Sequence, residues 1–467
     1  MGAIMIEALR PIAGVLVFVA AAVYIALRPL GYWGILPPLM GVLLFVAFCN
    51  RVTIGVYLLV FGSFVAGATL ELAGIPGVGG KVAGLAGLAL ITSRARLGHM
   101  LRTCEDGLGL LCWQTLVLVL FYLYGSMDSY ATAKLANWVV VCGYNFVAYL
   151  YLCRSRETDW LRLGQLGILT GLLYLAVSTV HYPDLRPASP VSIGVIRDFL
   201  SVNRDAVFDY HVLGMYGVFG LALMLGFRAN AELSKRDELA VLAYACMAMV
   251  LVAWSGARQY MVMLALVGPV TLLCPNIARR YRVYAGVCIA MLAVVLYVNL
   301  WQQFDFINEV LSPDARFSDR LNRGLTYDAA IDAIVEKPML GEGLGGYKGH
   351  LYTPEKHGEG SYAHNLVLEL LSETGVVGTA LFLLPLLAVG SLRARFAALR
   401  LPCSSKAGNV VAPLFLCLLL RSMISSDLVT SSAVFAILVA LVSVDQRRTV
   451  ASRSESPRAN CCRLPMG

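Results

Sequence analysis

The chain has little charge for its length. Only 14% of its 467 residues are charged, whereas 58% are hydrophobic, and the mean hydropathy is +0.72. Soluble domains have about a quarter of their residues charged, and a soluble core does not absorb this many long apolar runs. The composition therefore excludes an ordinary soluble protein and predicts an all-α polytopic integral membrane protein.

Motifs for soluble ligands are missing as well. Gly341, Gly343 and Gly346 formally match G-x-G-x-x-G, but no core strand precedes them, so a dinucleotide fingerprint is excluded. A tight glycine turn, where the backbone approaches another chain or a ligand, is the preferred interpretation. The net charge of +8 comes mostly from loops expected on the inner side, which indicates contact with anionic membrane lipids. No nucleic-acid motif accompanies this charge, so we expect no nucleic acid as a partner.

Apolar runs long enough to cross a bilayer recur along the chain. They lie at about 11–27, 33–49, 52–73, 107–124, 134–152, 162–180, 211–227, 239–255, 258–274, 281–300, 365–390, 409–425 and 428–444. The first run lacks a small-residue cleavage site and is predicted to be a membrane helix, not a signal peptide. A shorter glycine-rich segment, residues 78–92, is ambiguous by hydropathy alone.

The distribution of arginine and lysine resolves this ambiguity. Basic loops lie at 93–102, 153–162, 228–236, 276–282 and 392–406. The positive-inside rule assigns all of them to the cytoplasm, and they alternate correctly only if residues 78–92 cross the bilayer. The prediction is about 14 helices, within a range of about 12 to 14, with both termini in the cytoplasm. None of the 12 cysteines then falls in an outer loop, so no disulfide framework is predicted.

Two loops on the outer face are long enough to carry chemistry. They span about 181–210 and 301–364, and in the second the apolar spacing predicts a helix ending near Glu336, ahead of Pro338. The chain is therefore divided into transmembrane helices over 1–300, a large periplasmic loop carrying the chemistry over 301–364, C-terminal transmembrane helices over 365–444 and a disordered cytoplasmic tail over 445–467.

Arginine and histidine are the reactive side chains on this face. Arg258, Arg320 and Arg323 map there, and a guanidinium group is a planar fork for phosphate or diphosphate. His364 opens a membrane segment, and histidine titrates near neutral pH, so it can orient or deprotonate a hydroxyl. Taken singly, these residues are also compatible with a snorkelling arginine at Arg258, a solvated helix face at Arg320 and Arg323, and a capping or interfacial histidine at His364. Together they suit transfer from a diphosphate-activated, membrane-held donor to an alcohol.

A metal ion is the competing interpretation of the histidines. His350, His357 and His364 are seven residues apart, but this spacing matches no zinc motif and no cysteine accompanies them. Pro354 also interrupts the segment between them. We predict no metal ligand and no cofactor.

Two segments, "RGLTYDAAIDAIVEKPMLGEGLGGY" and "AHNLVLELLSETGVVGTALF", resemble the C-terminal signature of the O-antigen ligase and Wzy polymerase superfamily. The matching positions are Arg323, Tyr327, Pro338, Gly341, Gly343, His364, Asn365, Leu368, Glu369, Gly375 and Gly378. Ser255 and Arg258 resemble the family's Ser-x-Ser-Arg helix start, with Ala257 in place of the second serine. Tyr327 stands where a tryptophan is common, and the resemblance covers about residues 250–390.

The resemblance implies a GT-C-like fold in a bacterial inner membrane and an undecaprenyl-diphosphate-linked oligosaccharide as the donor. Arg258 and Arg323 would hold the donor diphosphate and stabilise it as the leaving group, and His364 would position or deprotonate the acceptor hydroxyl. Attack at the anomeric carbon would invert its configuration on the periplasmic face, without a metal ion or a nucleotide sugar. The residues expected to contact substrate are Arg320, Asn365, Tyr327, Gly341, Gly343 and Tyr347.

Three functions are compatible with these residues. The leading hypothesis is a glycosyltransferase that polymerises lipid-linked repeat units into exopolysaccharide, capsule or O-antigen. The same site would serve a ligase that transfers glycan to lipid A core or to protein, because only the acceptor changes. A non-enzymatic polysaccharide exporter is the third, although the chain lacks the matched halves with broken helices that transporters often show. The expected partners are the lipid-linked donor, an acceptor glycan or lipid A core and membrane lipids, with a flippase and a chain-length regulator left open.

The topology is testable with single cysteines in a cysteine-free background. A membrane-impermeant thiol reagent added from the periplasmic side should label a cysteine placed at Glu355 and should not label one at Ser404. This follows because the basic residues around 392–406 are expected to stay in the cytoplasm. Labelling of the Glu355 position only from the cytoplasmic side would contradict the assignment of residues 301–364 to the periplasm.

Overall fold

The computed structural model describes eleven stretches of the chain, in each of which the regular structure is helical. They are residues 51–62, 79–92, 105–154, 157–181, 210–228, 235–255, 259–264, 317–347, 363–388, 406–424 and 428–440. No strand occurs within these ranges, so the predicted all-α class is confirmed for them. The predicted segments at 11–27, 33–49 and 281–300 and the tail at 445–467 lie outside the described residues.

The helices are numbered here in chain order. They are α1 (Arg51–Tyr57, continued by a π-helical turn, Leu58–Gly62), α2 (Gly79–Thr92), α3 (Glu105–Tyr124), α4 (Ser129–Arg154), α5 (Glu157–His181), α6 (Tyr210–Arg228), α7 (Lys235–Ser255), α8 (Phe317–Glu336), α9 (Leu366–Ala388), α10 (Lys406–Ile424) and α11 (Leu428–Ala440).

Three of these helices are long and apolar enough to cross a membrane. The spanning segments are Gly107–Tyr124 in α3, Ser129–Leu152 in α4 and Leu366–Leu384 in α9. They agree with the runs predicted at 107–124, 134–152 and 365–390. Shorter apolar helices, such as His211–Gly226 and Leu428–Ala440, accompany them. With the apolar composition, these helices define a multi-pass membrane protein.

The glycine-rich segment that was ambiguous by hydropathy is helical. Helix α2 covers Gly79–Thr92 and packs against α1 and α4. The helix predicted inside the second outer loop is also present, because α8 ends at Glu336, ahead of Pro338. Proline fits badly inside a helix because it lacks a backbone N–H and its ring clashes with the preceding turn.

The buried face of α8 is formed by alanines. Ala329, Ala330 and Ala333 are buried, whereas Ile331 and Val335 are exposed. Helix α8 packs against α9, and small side chains at such a contact allow the two backbones to approach closely.

Helices α3, α4 and α11 hold α9 in place. The indole N–H of Trp113 on α3 donates to the carbonyl of Leu381 at 2.8 Å. Trp138 on α4 contacts Phe382 and Phe435 edge-on or tilted, with ring centroids 5.6 and 6.0 Å away. Aromatic packing of this kind adds about 0.5–1.5 kcal/mol per pair beyond the area buried. The C-terminal half of α9 is therefore anchored to α3 and α4.

Candidate active site

Helix α9 is broken in its middle. Gly375 adopts φ 61° and ψ −172°, a combination that a residue with a Cβ atom does not adopt without strain. In an unbroken helix the carbonyls of Ser372 and Glu373 would accept from the amides of Val376 and Val377. The break removes both of these hydrogen bonds within a segment that is long and apolar enough to span the membrane.

A loop between α8 and α9 replaces the lost hydrogen bonds. We call residues 337–347 the glycine loop. The amides of Glu342 and Gly343 donate to the carbonyls of Ser372 and Glu373, each at 2.9 Å. In return, the amides of the two residues after the break donate to the loop, Val376 to Pro338 at 2.9 Å and Val377 to Met339 at 3.1 Å. Irregular backbone is tolerated inside a membrane protein only where its polar groups are satisfied in this way.

The glycines of the loop allow this close approach. Gly341 has φ 64°, and a Cβ atom there would lie 2.5 Å from the backbone carbon of Glu373. Gly343 has φ 86° and lies against the backbone of Gly125, at the end of α3. The predicted glycine turn is thus confirmed as a close backbone approach, and the partner is the same chain. Contact of Gly341 and Gly343 with substrate stays a prediction.

The loop is closed by an ion pair at its base. Lys337 donates to a carboxylate oxygen of Glu342 at 2.7 Å. This hydrogen bond, helped by the charge of Glu342, raises the pKa of Lys337. Because Lys337 is nearly half exposed, the pair adds little to stability, and its effect is to hold the two ends of the turn together.

His364 lies immediately ahead of α9, in an unusual backbone conformation. Its φ is 51°, in the left-handed region, and its side chain is half-buried. Histidine enters this region more readily than most residues, but the conformation still costs energy. Backbone strain that the surrounding structure maintains is a frequent property of functional sites.

Asn365 fixes the position of His364. Its side-chain oxygen accepts from the amides of Val367 at 2.9 Å and Leu368 at 3.2 Å, so it caps the first turn of α9. Its side-chain nitrogen donates to the carbonyl of Met423 on α10 at 3.1 Å. Asn365 was predicted to contact substrate; the structure assigns it this capping role, and substrate contact stays a prediction.

Helix α8 is packed onto the same region. Ala330 and Ala333 form a small buried cluster with Tyr347 of the glycine loop and Ala363, the residue before His364. The predicted substrate residue Tyr347 is thus a fully buried packing residue, with 0% of its surface exposed. Tyr327, which precedes Ala330 by one turn of α8, is half-buried.

The arginines are placed only in part. The backbone of α8 carries both Arg320 and Arg323, toward its N-terminal end. Arg258, His350 and His357 lie outside the described residues. The structure therefore brings together α8, the glycine loop and His364, while the predicted grouping of the arginine side chains stays untested.

A buried ionic cluster was missed by the sequence analysis. Lys134 on α4 donates to Glu369 and, at 2.6 Å, to Glu373, both on α9. The three side chains are at most 2% exposed. A signal existed, because a lysine within an apolar run and two glutamates one turn apart in another run are costly in a membrane protein and seldom without a role.

A second pair was also missed, next to the predicted Arg258. Gln259 donates its side-chain amide to Nδ1 of His211 at 2.8 Å, and the ring of Tyr260 packs edge-on to the same histidine. His211 opens the apolar part of α6, so it is a second histidine at a helix start. The sequence gave little reason to select it, because no motif surrounds it.

Metal binding has no support among the described residues. Within those ranges, no three side chains of histidine, cysteine, aspartate or glutamate are grouped to hold a metal ion. Because His350 and His357 lie outside them, the absence of a metal ligand stays a prediction.

These features define a multi-pass membrane protein that is helical in the residues the structure describes, and its distinctive part is a broken helix with a glycine loop docked into it. Residues 241–383 match the family model Wzy_C, described as O-Antigen ligase. The matched range includes Arg258, α8, the glycine loop and the broken part of α9. This match supports the resemblance to the O-antigen ligase and Wzy polymerase superfamily that the sequence motifs indicated. No curated protein matches the chain.

The strain at His364 makes a prediction about stability. His364→Gly should unfold at a higher temperature than His364→Ala, because alanine in the left-handed region costs roughly 1–2 kcal/mol that glycine avoids. At Val140, an exposed position within α4, the order should reverse, since glycine weakens an ordinary helix by roughly 0.5–1 kcal/mol relative to alanine. Thermal unfolding of the four purified variants in detergent measures this, and the same order at both positions would contradict the assigned conformation.

Proposed function

We propose that this protein is a metal-independent inverting glycosyltransferase of the bacterial inner membrane. It polymerises undecaprenyl-diphosphate-linked repeat units of a surface polysaccharide, which is exopolysaccharide, capsule or O-antigen. The observation that carries the proposal is the packing of α8, the glycine loop and the His364 end of α9 into one unit, within the range that matches the O-antigen ligase family.

The packing of α8 supports a role for Arg323. Ala330 on α8 belongs to the same buried cluster as Ala363, the residue before His364, and Tyr347 of the glycine loop. Arg323 precedes Ala330 by two helical turns, which is roughly 10 Å along the helix axis. Seven residues are close to two full turns, so the two positions lie on the same face of α8, and the proposal places the donor diphosphate on that face.

The reaction then follows from the roles of these groups. Arg258 and Arg323, assisted by Arg320, bind the diphosphate of the donor and neutralise the charge that develops on it. His364 takes the proton of an acceptor hydroxyl while the hydroxyl oxygen forms a bond to the anomeric carbon. The bond from that carbon to the diphosphate oxygen breaks from the opposite side. Undecaprenyl diphosphate leaves, and the configuration at the anomeric carbon is inverted.

The membrane arrangement proposed with this chemistry is the one that the charges predict. It has about 14 helices in a GT-C-like fold, with both termini in the cytoplasm and the site on the periplasmic face. The donor reaches the site from the outer leaflet, so a flippase would supply it, and a chain-length regulator is a compatible partner.

Ligation is the second candidate, and one observation favours it. The family model that matches residues 241–383 is described as O-Antigen ligase. A ligase would use the same arginines and the same histidine, with lipid A core or a protein as the acceptor in place of a growing glycan. The two activities therefore differ only in the molecule that presents its hydroxyl to His364.

Purified protein with a synthetic undecaprenyl-diphosphate repeat unit tests the proposal. Arg258→Ala and Arg323→Ala should each lower the rate of glycan transfer about a hundredfold or more, because a fixed donor to the leaving group is lost. Lysine at either position should rescue the rate only in part, since it cannot form the planar fork. His364→Ala should lower the rate about a hundred- to ten-thousandfold and leave donor binding largely intact.

The controls use the other two histidines of the predicted periplasmic loop, residues 301–364. His350→Ala and His357→Ala should keep nearly full activity, and a chelator should have no effect. If all three histidine variants fail together and zinc restores a chelated wild-type protein, the metal-free reaction is wrong. Supplying lipid A core and a growing glycan as competing acceptors separates ligase from polymerase, and failure to transfer to either, with loss of exported glycan in cells, would favour an exporter.

A further inference from the structure

We propose that Lys134 is a positioning residue for the transfer reaction: by binding Glu369 and Glu373 together, it fixes the N-terminal half of α9, and with it His364 and the glycine loop. The inference rests on the proposed function only for its effect on rate. Its structural part concerns how three segments of the chain are held together, and it can be measured without substrate.

The cluster is placed to fix one short segment of α9. Glu369 and Glu373 are four residues apart, so their side chains lie on the same face of the helix, one turn apart. The ammonium group of Lys134 contacts both carboxylates, at 2.6 Å in the case of Glu373. One cation bound to two successive turns restrains both the rotation of α9 and its sliding along its own axis.

The same segment carries the hydrogen bonds of the glycine loop. The side chain of Glu373 binds Lys134, while its backbone carbonyl accepts from the amide of Gly343. The carbonyl of Ser372, one residue earlier, accepts from Glu342. A shift of this turn away from Lys134 would therefore move the two carbonyls on which the loop is docked.

The cluster is also close to His364 along the helix. The amide of Glu369 donates to the carbonyl of Asn365 at 2.9 Å, which is the first helical hydrogen bond of α9. His364 precedes Glu369 by five residues, which is roughly 7 Å along the axis. Only Asn365 and the first turn of α9 separate them, so a shift of Glu369 would be passed on to the proposed base.

Helix α4 contacts the glycine loop at a second point. The ring of Tyr130, one turn before Lys134, lies where a Cβ atom on Gly345 would be only 2.9 Å away. The ammonium group of Lys134 lies 5.9 Å from the centre of that ring. The face of α4 that carries Lys134 is thus the surface on which both the loop and α9 rest.

A contribution to stability does not by itself account for these buried charges. Removing charged groups from water is costly, and replacement of a buried ion pair by neutral groups of similar size is often harmless to stability or improves it. A buried ionic cluster is therefore better suited to fixing one arrangement of the helices than to stabilising the fold. A variant that removes the charges should therefore change the positions of the helices more than it changes the stability, and the two effects can be measured separately.

The decisive variant removes all three charges with similar shapes: Lys134→Met, Glu369→Gln and Glu373→Gln combined. We expect it to fold with a thermal midpoint near that of the wild type. Its kcat should fall at least about tenfold, with a smaller change in KM for the lipid-linked donor, because misplacement of a reacting group by about 1 Å can cost a hundredfold. Hydrogen exchange should quicken at the amides that dock the loop, those of Glu342, Gly343, Val376 and Val377.

Two further variants serve as controls. Asn145→Leu combined with Ser432→Ala removes a half-buried hydrogen bond between α4 and α11, which is 3.0 Å long and does not involve α9. This variant should change the thermal midpoint and leave kcat and the loop amides unchanged. Lys134→Arg keeps the charge but changes the geometry of the contacts, so it should fold normally and transfer more slowly.

The outcomes separate the inference from the proposed function. Wild-type kcat together with wild-type exchange in the neutral variant would overturn the inference, and so would a slow variant whose loop amides exchange normally. If the neutral variant does not fold, Lys134→Arg decides: normal stability with wild-type kcat would show that only charge neutralisation matters. If the wild type transfers nothing, the proposed function fails, while the exchange measurement still tests the positioning of the loop.

Discussion

The exchange of hydrogen bonds at Gly375 is the constraint on which the rest of the site depends. A helix in a membrane cannot break without leaving backbone groups unsatisfied, and each such group costs several kcal/mol in a lipid environment. Here the break at Gly375 is matched by Pro338, Met339, Glu342 and Gly343, which supply the donors and acceptors that α9 lacks. The loop and the broken helix are therefore one structural unit, because each supplies backbone hydrogen-bond partners that the other would otherwise lack.

The elements around this unit each restrain a different part of it. Asn365 caps the start of α9 and joins it to α10, while Trp113 and Trp138 hold the half that follows the break. Lys134 binds Glu369 and Glu373, which lie on successive turns of α9 ahead of the break. Helix α8 packs beneath the loop through alanines. Together these contacts restrain the segments next to His364, which suits a reaction that depends on the alignment of two substrates.

Local features of the fold followed well from the sequence, and contacts between distant segments did not. Hydropathy predicted the span at 107–124, and Pro338 placed the end of α8 at Glu336, because both depend on neighbouring residues. The site motifs lie within the range that matches the O-antigen ligase family model. The pairing of the glycine loop with α9 was missed, since a glycine turn does not specify what it will dock against. The partner of Lys134 lies 235 residues away, so only the cost of its burial hinted at a role.

The central claim is transfer of glycan from a lipid diphosphate, and the stoichiometry of wild-type protein in vesicles tests it most directly. The donor is a synthetic undecaprenyl-diphosphate repeat unit, and mass spectrometry follows both the lipid and the glycan. The account predicts one undecaprenyl diphosphate released for each repeat unit transferred, with the anomeric configuration of the new linkage inverted. Movement of the glycan across the vesicle membrane while it stays attached to its lipid, with no diphosphate released, would contradict the account.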